Sequence, residues 1–273
     1  MQINNSTIHE IATAHGILEY CRFGSGHPLF LIMGYATTMS GWDQRFLNKL
    51  TEHHEVIVFN NRNTGKYMFS GDYSLTNLAR DIEALRQHLG YPLIAIGGIS
   101  MGGMLAQNYA HLYPHAISHL IIINSTPPGN LITRPSEQII DILRSLDRPK
   151  LSIYWRFARL LIPSLWYIPI LEYYHFKPKN HTKIVPPETI KQQQDIIEEW
   201  SEIPNPNLVL SGIEAPTLVL SGDADKLIPP ENSKTISEYV KDAKLVTFAR
   251  GGHVMIYQYP IKIANTIIEF LRR

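Results

Sequence analysis

Residues 93–103 read LIAIGGISMGG, an apolar run that passes without a linker into Gly98-Ile99-Ser100-Met101-Gly102. Few folds accommodate such a stretch. A short, fully apolar run has the character of a strand buried on both faces, and residues 104–113 that follow are spaced as a helix. G-x-S-x-G between a strand and a helix demands a sharp turn, with the serine in a strained backbone conformation. Side chains two positions to either side of Ser100 would collide with neighbouring elements, so Gly98 and Gly102 are required there. The turn exposes the Ser100 hydroxyl. It also sets the Met101 backbone N–H at the helix N-terminus, aimed where an oxyanion would form.

The same buried-strand signature recurs at residues 29–33, 56–59, 120–123 and 217–220, and residues 244–248 supply one more strand. Between these runs lie helical patterns. Residues 75–89 carry Leu75, Leu78, Ile82, Leu85 and Leu89 at helical spacing with Gly90 as a stop, and residues 261–271 form a last helix. Regular alternation of this kind predicts an α/β fold with a mostly parallel, doubly wound sheet. Residues 8–13 and 17–23 precede it as an antiparallel hairpin turning through Ala14, His15 and Gly16. The alternation breaks once, over residues 127–206, where prolines punctuate helical segments and aromatic residues cluster. That interval is expected to be an inserted helical cap, or lid, on a catalytic domain made of residues 1–126 and 207–273. Trp155, Trp166 and Tyr167 of the cap are candidates to line an apolar substrate pocket.

A serine becomes a competent nucleophile only beside a base, and the base needs an orienting carboxylate. Residues 217–220 run into Ser221-Gly222-Asp223-Ala224-Asp225, and residues 244–248 run into Ala249-Arg250-Gly251-Gly252-His253. Both turns fall at the carboxyl ends of strands, on the sheet edge that carries Ser100. The order Ser100, Asp225, His253 fits a catalytic triad. Asp223 competes for the acid role, but it directly follows Gly222 and is suited to capping turn N–H groups. The second oxyanion donor is expected after the first parallel strand, at Met33-Gly34-Tyr35. Gly34 permits close approach of the backbone, and the Tyr35 N–H is the donor.

Composition removes other classes. With 25 Lys and Arg against 24 Asp and Glu the formal charge is +1, so there is no basic field for a nucleic acid. Cys21 is the only cysteine, which excludes an internal disulfide and a cysteine-rich zinc site. His111, His115 and His119 are interrupted by Pro114 and lack carboxylate company, so no metal site is expected. The polar residues 1–10 show no secretory pattern, and a reducing, cytoplasmic setting is the default. Residues 160–171 are apolar but carry Pro163 and Pro169, and they fall short of the roughly 20 residues of a spanning helix. The segment can at most make peripheral membrane contact as part of the lid.

Taken together, residues 29–35 with Trp42, the loop Asn60-Asn61-Arg62-Asn63-Thr64-Gly65, the Ser100 turn, Gly222 to Asp225 with Pro229, and Gly251-Gly252-His253 resemble the α/β-hydrolase superfamily. The resemblance covers nearly the whole chain outside the cap. LIMG and NRNTGK look most like the carboxylesterases that include aclacinomycin methylesterase, with cofactor-free haloperoxidase-like enzymes close by. It implies Ser100, Asp225 and His253 as triad, Tyr35 and Met101 as oxyanion donors, and no metal or organic cofactor. The expected activity is hydrolysis of a carboxylic ester of a small to medium apolar molecule through an acyl-enzyme. Thioester, lactone, amide or C–C bond hydrolysis on the same triad, or ligand binding without turnover, are the alternatives. Met33 stands where many members of the family carry histidine, and Asn60, Asn63 and Tyr67 replace the usual Asp, second Gly and Ser of the next loop. Arg62 is expected to be structural. A serine at position 100 disfavours the aspartate-nucleophile dehalogenases and epoxide hydrolases.

Overall fold

The computed structural model describes residues 6–144, 160–163, 166 and 185–272. Eight strands form one sheet: β1 (His9–Ala12), β2 (Ile17–Phe23), β3 (Pro28–Ile32), β4 (Glu55–Phe59), β5 (Ile94–Ile99), β6 (Ile117–Ile123), β7 (Thr217–Gly222) and β8 (Ala243–Phe248). Their spatial order is β1-β2-β4-β3-β5-β6-β7-β8. The hairpin strands β1 and β2 pair antiparallel, and every pairing from β4 to β8 is parallel. Every residue of β3, β4, β5 and β7 is buried, as expected for parallel strands covered on both faces.

Two cores flank the sheet. On one face, α2 (Leu75–His88) and α3 (Met101–Leu112) bury Leu78, Ile82, Leu85, Leu105 and Tyr109 with the side chains of that face. On the other, α1 (Gln44–Leu50) and the C-terminal helix, residues Pro260–Phe270, bury Phe46, Leu47, Leu50, Ile263 and Ile267. The sequence pattern located α2 and the last helix to within a residue or two. Helix α2 begins where Ser74 Oγ accepts the Asn77 N–H (3.3 Å) and ends before Gly90 at φ 73°. Helix α1 escaped the pattern because it is only seven residues long. Its start is set by the buried Asp43, whose carboxylate accepts the Arg45 and Phe46 N–H groups.

Between β6 and β7 the described residues hold no strand. They include α4 (Glu137–Arg144), α5 (Pro187–Ser201) and α6 (Pro206–Ser211). Helix α6 packs on α3 and on α7 (Glu231–Tyr239), whereas α5 lies against the loops at the carboxyl edge of the sheet. A short helix α8 (Met255–Gln258) follows β8, and α9 is the C-terminal helix. No helix among the described residues is long and apolar enough to cross a membrane.

The chain leaves β3 in one direction to form β4 and later returns on the other side of β3 to form β5. The topological switch therefore lies at the carboxyl ends of β3 and β5. Crevices in open α/β sheets form at such points, and here the flanking residues are Gly34 and Ser100.

Candidate active site

Ser100 prolongs the β5–β6 ladder by one bond, its N–H donating to the Ile123 carbonyl at 3.0 Å, and then the chain breaks direction. Its φ of 58° and ψ of −126° are costly for a side-chain-bearing residue. The cost is sustained because the surroundings leave no alternative. A Cβ on Gly98 would overlap the Gly102 carbonyl, and one on Gly102 would overlap the Ile32 carbonyl. Helix α3 starts immediately at Met101, three residues earlier than the periodicity suggests, because Gly102 and Gly103 are there for close packing rather than for helix propensity. The Ser100 carbonyl accepts from Gly103 N–H and Ser125 Oγ, both at 2.8 Å.

Gly34 lies directly beside this turn. A Cβ there would stand 3.1 Å from Ser100 Cβ and 3.0 Å from the Ile99 carbonyl. The loop it opens is braced by Thr37 Oγ1 donating to the Gly34 carbonyl (2.7 Å) and Asn61 Nδ2 donating to the Met33 carbonyl (3.2 Å). Neither the Tyr35 nor the Met101 backbone N–H meets an acceptor among the described residues. The Tyr35 hydroxyl accepts from Gln194 Nε2 (2.9 Å), and burial raises its pKa.

His253 and Asp225 are both buried, and His253 Nδ1 lies 2.8 Å from Asp225 Oδ2. The other carboxylate oxygen, Oδ1, accepts the Leu227 and Ile228 N–H groups, each at 2.9 Å. Those two bonds hold the carboxylate so that only Oδ2 faces the imidazole. A proton on Nδ1, donated to the carboxylate, leaves Nε2 as an acceptor. Asp223 is turned elsewhere: its Oδ1 accepts the Arg250 N–H at 2.5 Å. The Asx-type capping expected of Asp223 within its own turn is thus performed by Asp225, and Asp223 ties that turn to the one carrying His253. The two turns pack backbone against backbone, Ala224 N–H donating to the Gly251 carbonyl at 2.9 Å.

Three polar residues that brace the site were not singled out from the sequence. Asn124, at φ 43° after β6, donates through Nδ2 to the Gly252 and His253 carbonyls (3.0 and 2.7 Å) and accepts the Gly222 N–H (2.8 Å). Gln258 accepts the Gly252 N–H (2.7 Å) and donates to the Arg250 carbonyl (3.1 Å). Gln193 of α5 accepts the Ala36 N–H at 2.8 Å. An asparagine ending a buried strand on this edge was the available signal for Asn124. Nothing local marks the two glutamines.

Arg62 is structural as expected. It is 1 % exposed and forms a bidentate pair with Asp81, both contacts at 2.9 Å, while donating to the Ser70 and Asp72 carbonyls. Asn63 takes the left-handed conformation that the glycine replacement requires, at φ 62°. Trp166 packs edge-on to Tyr259, with ring centroids 5.3 Å apart, in the core that includes Phe248 and Met255. Trp155 and Tyr167 lie outside the described residues. Burial pushes the Cys21 thiol up to about 11, so it stays protonated. Among the described residues no group of three His, Cys, Asp or Glu is placed to hold a metal ion.

Comparison with known proteins agrees with this architecture. Residues 27–147 match the family model described as alpha/beta hydrolase fold. Proline iminopeptidase PfmaB of Pestalotiopsis fici is 26% identical over 77% of this chain and 79% of its own. The bifunctional esterase/perhydrolase DCH of Acinetobacter calcoaceticus is 24% identical over 89% of this chain and 91% of its own. Among solved structures, an alpha/beta hydrolase fold protein from Chitinophaga pinensis superposes with a TM-score of 0.85 at 20% identity, covering 99% of each chain. With eight strands in this order, the Ser100 turn after β5, a family-model match over residues 27–147 and a structural match over 99% of the chain, the chain has the alpha/beta hydrolase fold.

Proposed function

We propose that the protein hydrolyses carboxylic esters of small to medium apolar molecules, with Ser100 as nucleophile, His253 as general base and acid, and Asp225 as the group that orients His253. The observation that carries this reading is the pairing of a strained, half-buried Ser100 turn with a buried Asp225–His253 hydrogen bond on the same edge of the sheet. His253 Nε2 takes the Ser100 proton as Oγ adds to the ester carbonyl, and the developing oxyanion is received by the Tyr35 and Met101 N–H groups. Collapse of that intermediate breaks the ester C–O bond, and His253 returns the proton to the leaving alcohol. Water then adds to the acyl-enzyme by the same route, which frees the acid and regenerates Ser100.

Residues 127–206 serve as the cap that sets substrate preference. Its described parts meet the cleft on two sides. The Leu161 carbonyl accepts the Val254 N–H (3.3 Å) beside His253, and α5 lies against the Tyr35 loop. Esterase and perhydrolase activity in the Acinetobacter relative supports acyl transfer through a serine, and the near-zero net charge suits a neutral substrate.

The test is turnover of p-nitrophenyl esters of graded acyl length, together with labelling by a fluorophosphonate probe. Wild-type protein is expected to be labelled at Ser100. Ser100→Ala is expected to lose the label and about 10⁴- to 10⁶-fold of kcat. Undiminished ester turnover in Ser100→Ala overturns the reading, and labelling without turnover of any ester, thioester or amide favours a ligand-binding role instead.

A further inference from the structure

Ala36 and Asn63 are two of the non-glycine residues held in the left-handed region, at φ 55° and 62°. They lie on different loops, and both are gripped by one face of α5. Gln193 Oε1 accepts the Ala36 N–H at 2.8 Å. Thr189 Oγ1 donates to the Asn63 carbonyl (3.1 Å), and Gln192 Oε1 accepts from Asn63 Nδ2 (3.0 Å). Gln194 Nε2 donates to the Tyr35 hydroxyl. The far end of α5 is anchored to the sheet domain by Trp200 Nε1 donating to the Thr126 carbonyl (3.3 Å) and by Glu199 accepting the Leu75 N–H (3.3 Å).

Gln193 is fully buried, and its burial is expensive. Its Nε2 lies beside the Tyr73 hydroxyl, yet neither completes a well-formed hydrogen bond among the described residues. A methionine would fill the same volume without stranding a donor. What the glutamine supplies and a methionine cannot is an acceptor for the Ala36 N–H. That N–H lies in the peptide plane next to the one carrying the Tyr35 N–H, whose own carbonyl, that of Gly34, is held by Thr37 Oγ1 (2.7 Å). Holding both planes restricts the two Tyr35 dihedrals through which its N–H is aimed.

We infer that Gln193 is a positioning residue for the oxyanion hole, through which the cap helix α5 holds the Tyr35 N–H in its productive direction. The inference rests on the hydrolase reading for its chemistry, but the hydrogen bond itself can be tested without it. The oxyanion hole is therefore assembled from two parts of the chain. Met101 is set by the Ser100 turn within the sheet domain, and Tyr35 is held from one side by Thr37 of its own loop and from the other by α5 through Ala36.

The experiment compares wild type, Gln193→Met, Gln193→Glu and Ser100→Ala. In wild-type protein, amide hydrogen exchange should show the Ala36 N–H protected, although the residue lies on an exposed loop; rapid exchange there overturns the inference whatever the variants do. Gln193→Met should lower kcat on p-nitrophenyl acetate about 10- to 100-fold with KM changed less than about threefold. It should weaken an alkyl boronic acid, which mimics the tetrahedral intermediate, by a similar factor. Gln193→Glu keeps an acceptor oxygen and should recover most of kcat. Wild-type kcat in Gln193→Met, or a loss that matches only the unfolded fraction with boronate affinity intact, overturns the positioning role while leaving Ser100 as nucleophile. Turnover that survives Ser100→Ala overturns the hydrolase reading and this inference with it.

Discussion

Asn124 and His253 are joined at 2.7 Å, the carboxamide of one donating to the backbone carbonyl of the other across 129 residues of chain. The same side chain accepts the Gly222 N–H, so the end of β6 links the β7 turn that carries Asp225 to the β8 turn that carries His253. Replacing it with leucine strands the Gly222 N–H and removes a donor from two carbonyls, all in a buried setting. Asn124→Leu should cost about 1–3 kcal/mol for each group left unpaired and lower kcat by about tenfold or more as the His253 turn loosens. Urea unfolding and steady-state kinetics check the two effects separately, and unchanged kinetics would show that the β8 turn holds itself.

Asp225 and Asp223 differ by two positions and by the whole of their expected effect. In Asp225→Asn, Oδ1 can still cap Leu227 and Ile228, but an NH₂ group now faces His253 Nδ1 and forces the wrong tautomer. In a serine protease the equivalent change cost about 10⁴ in kcat, and a loss on the order of 10³ to 10⁴ is expected here. Asp223→Asn retains an acceptor for the Arg250 N–H and should stay within about threefold of wild type. The opposite ranking would make Asp223 the acid.

Gly98 and Gly102 should tolerate no side chain. A Cβ at either position overlaps backbone carbonyl oxygen rather than a movable side chain, so alanine forces β5, α3 and β3 apart. Gly98→Ala and Gly102→Ala should each destabilise the fold by more than about 3 kcal/mol and yield little native protein, as measured by chemical denaturation and by near-UV circular dichroism.

Acid should weaken the fold through histidines remote from Ser100. His54 is buried, and neither ring nitrogen has a hydrogen-bond partner among the described residues. Burial first, then the charges of His27, His53 and Arg272, push its pKa below the ordinary histidine value, against a raising contribution from the His27 backbone. His119 and His27 are pushed the same way by burial, and Asp242 partly opposes the shift at His119. The unfolded chain then binds protons more readily than the folded one as pH falls through about 6.5, so stability is full above that pH and is lost below it. The urea midpoint should fall between pH 7 and pH 5, and His54→Phe should flatten that slope. An equal slope in the variant would place the acid sensitivity elsewhere.

Much of this architecture could be read from contiguous residues, because the physics there is local. The Ser100 turn declares itself in eleven residues: an apolar run with no polar break, two glycines spaced about a serine, and a helix. Backbone sterics alone make that pattern nearly diagnostic. The placement of Ser100, Asp225 and His253 beyond the carboxyl ends of β5, β7 and β8 was legible for a similar reason, since each lies within one short turn of an apolar strand run. Helix α2 was legible because 14 residues repeat a 3.6-residue apolar period between a capping serine and a glycine, whereas the seven residues of α1 cannot show one.

Other features exist only once the chain is folded. Asp223 and Asp225 sit in the same turn, and in the sequence only their distance from Gly222 ranks them; the direction of the β8 turn gives Asp225 to His253 and Asp223 to the Arg250 N–H. Gln193 is an ordinary helical glutamine until α5 is laid against the β3 loop, 157 residues away in sequence, where it becomes the acceptor for Ala36. Strand periodicity and glycine sterics act between near neighbours and leave their mark on composition. A hydrogen bond between distant segments is a matter of distance and direction, and those are set by the packing of the sheet and its helices.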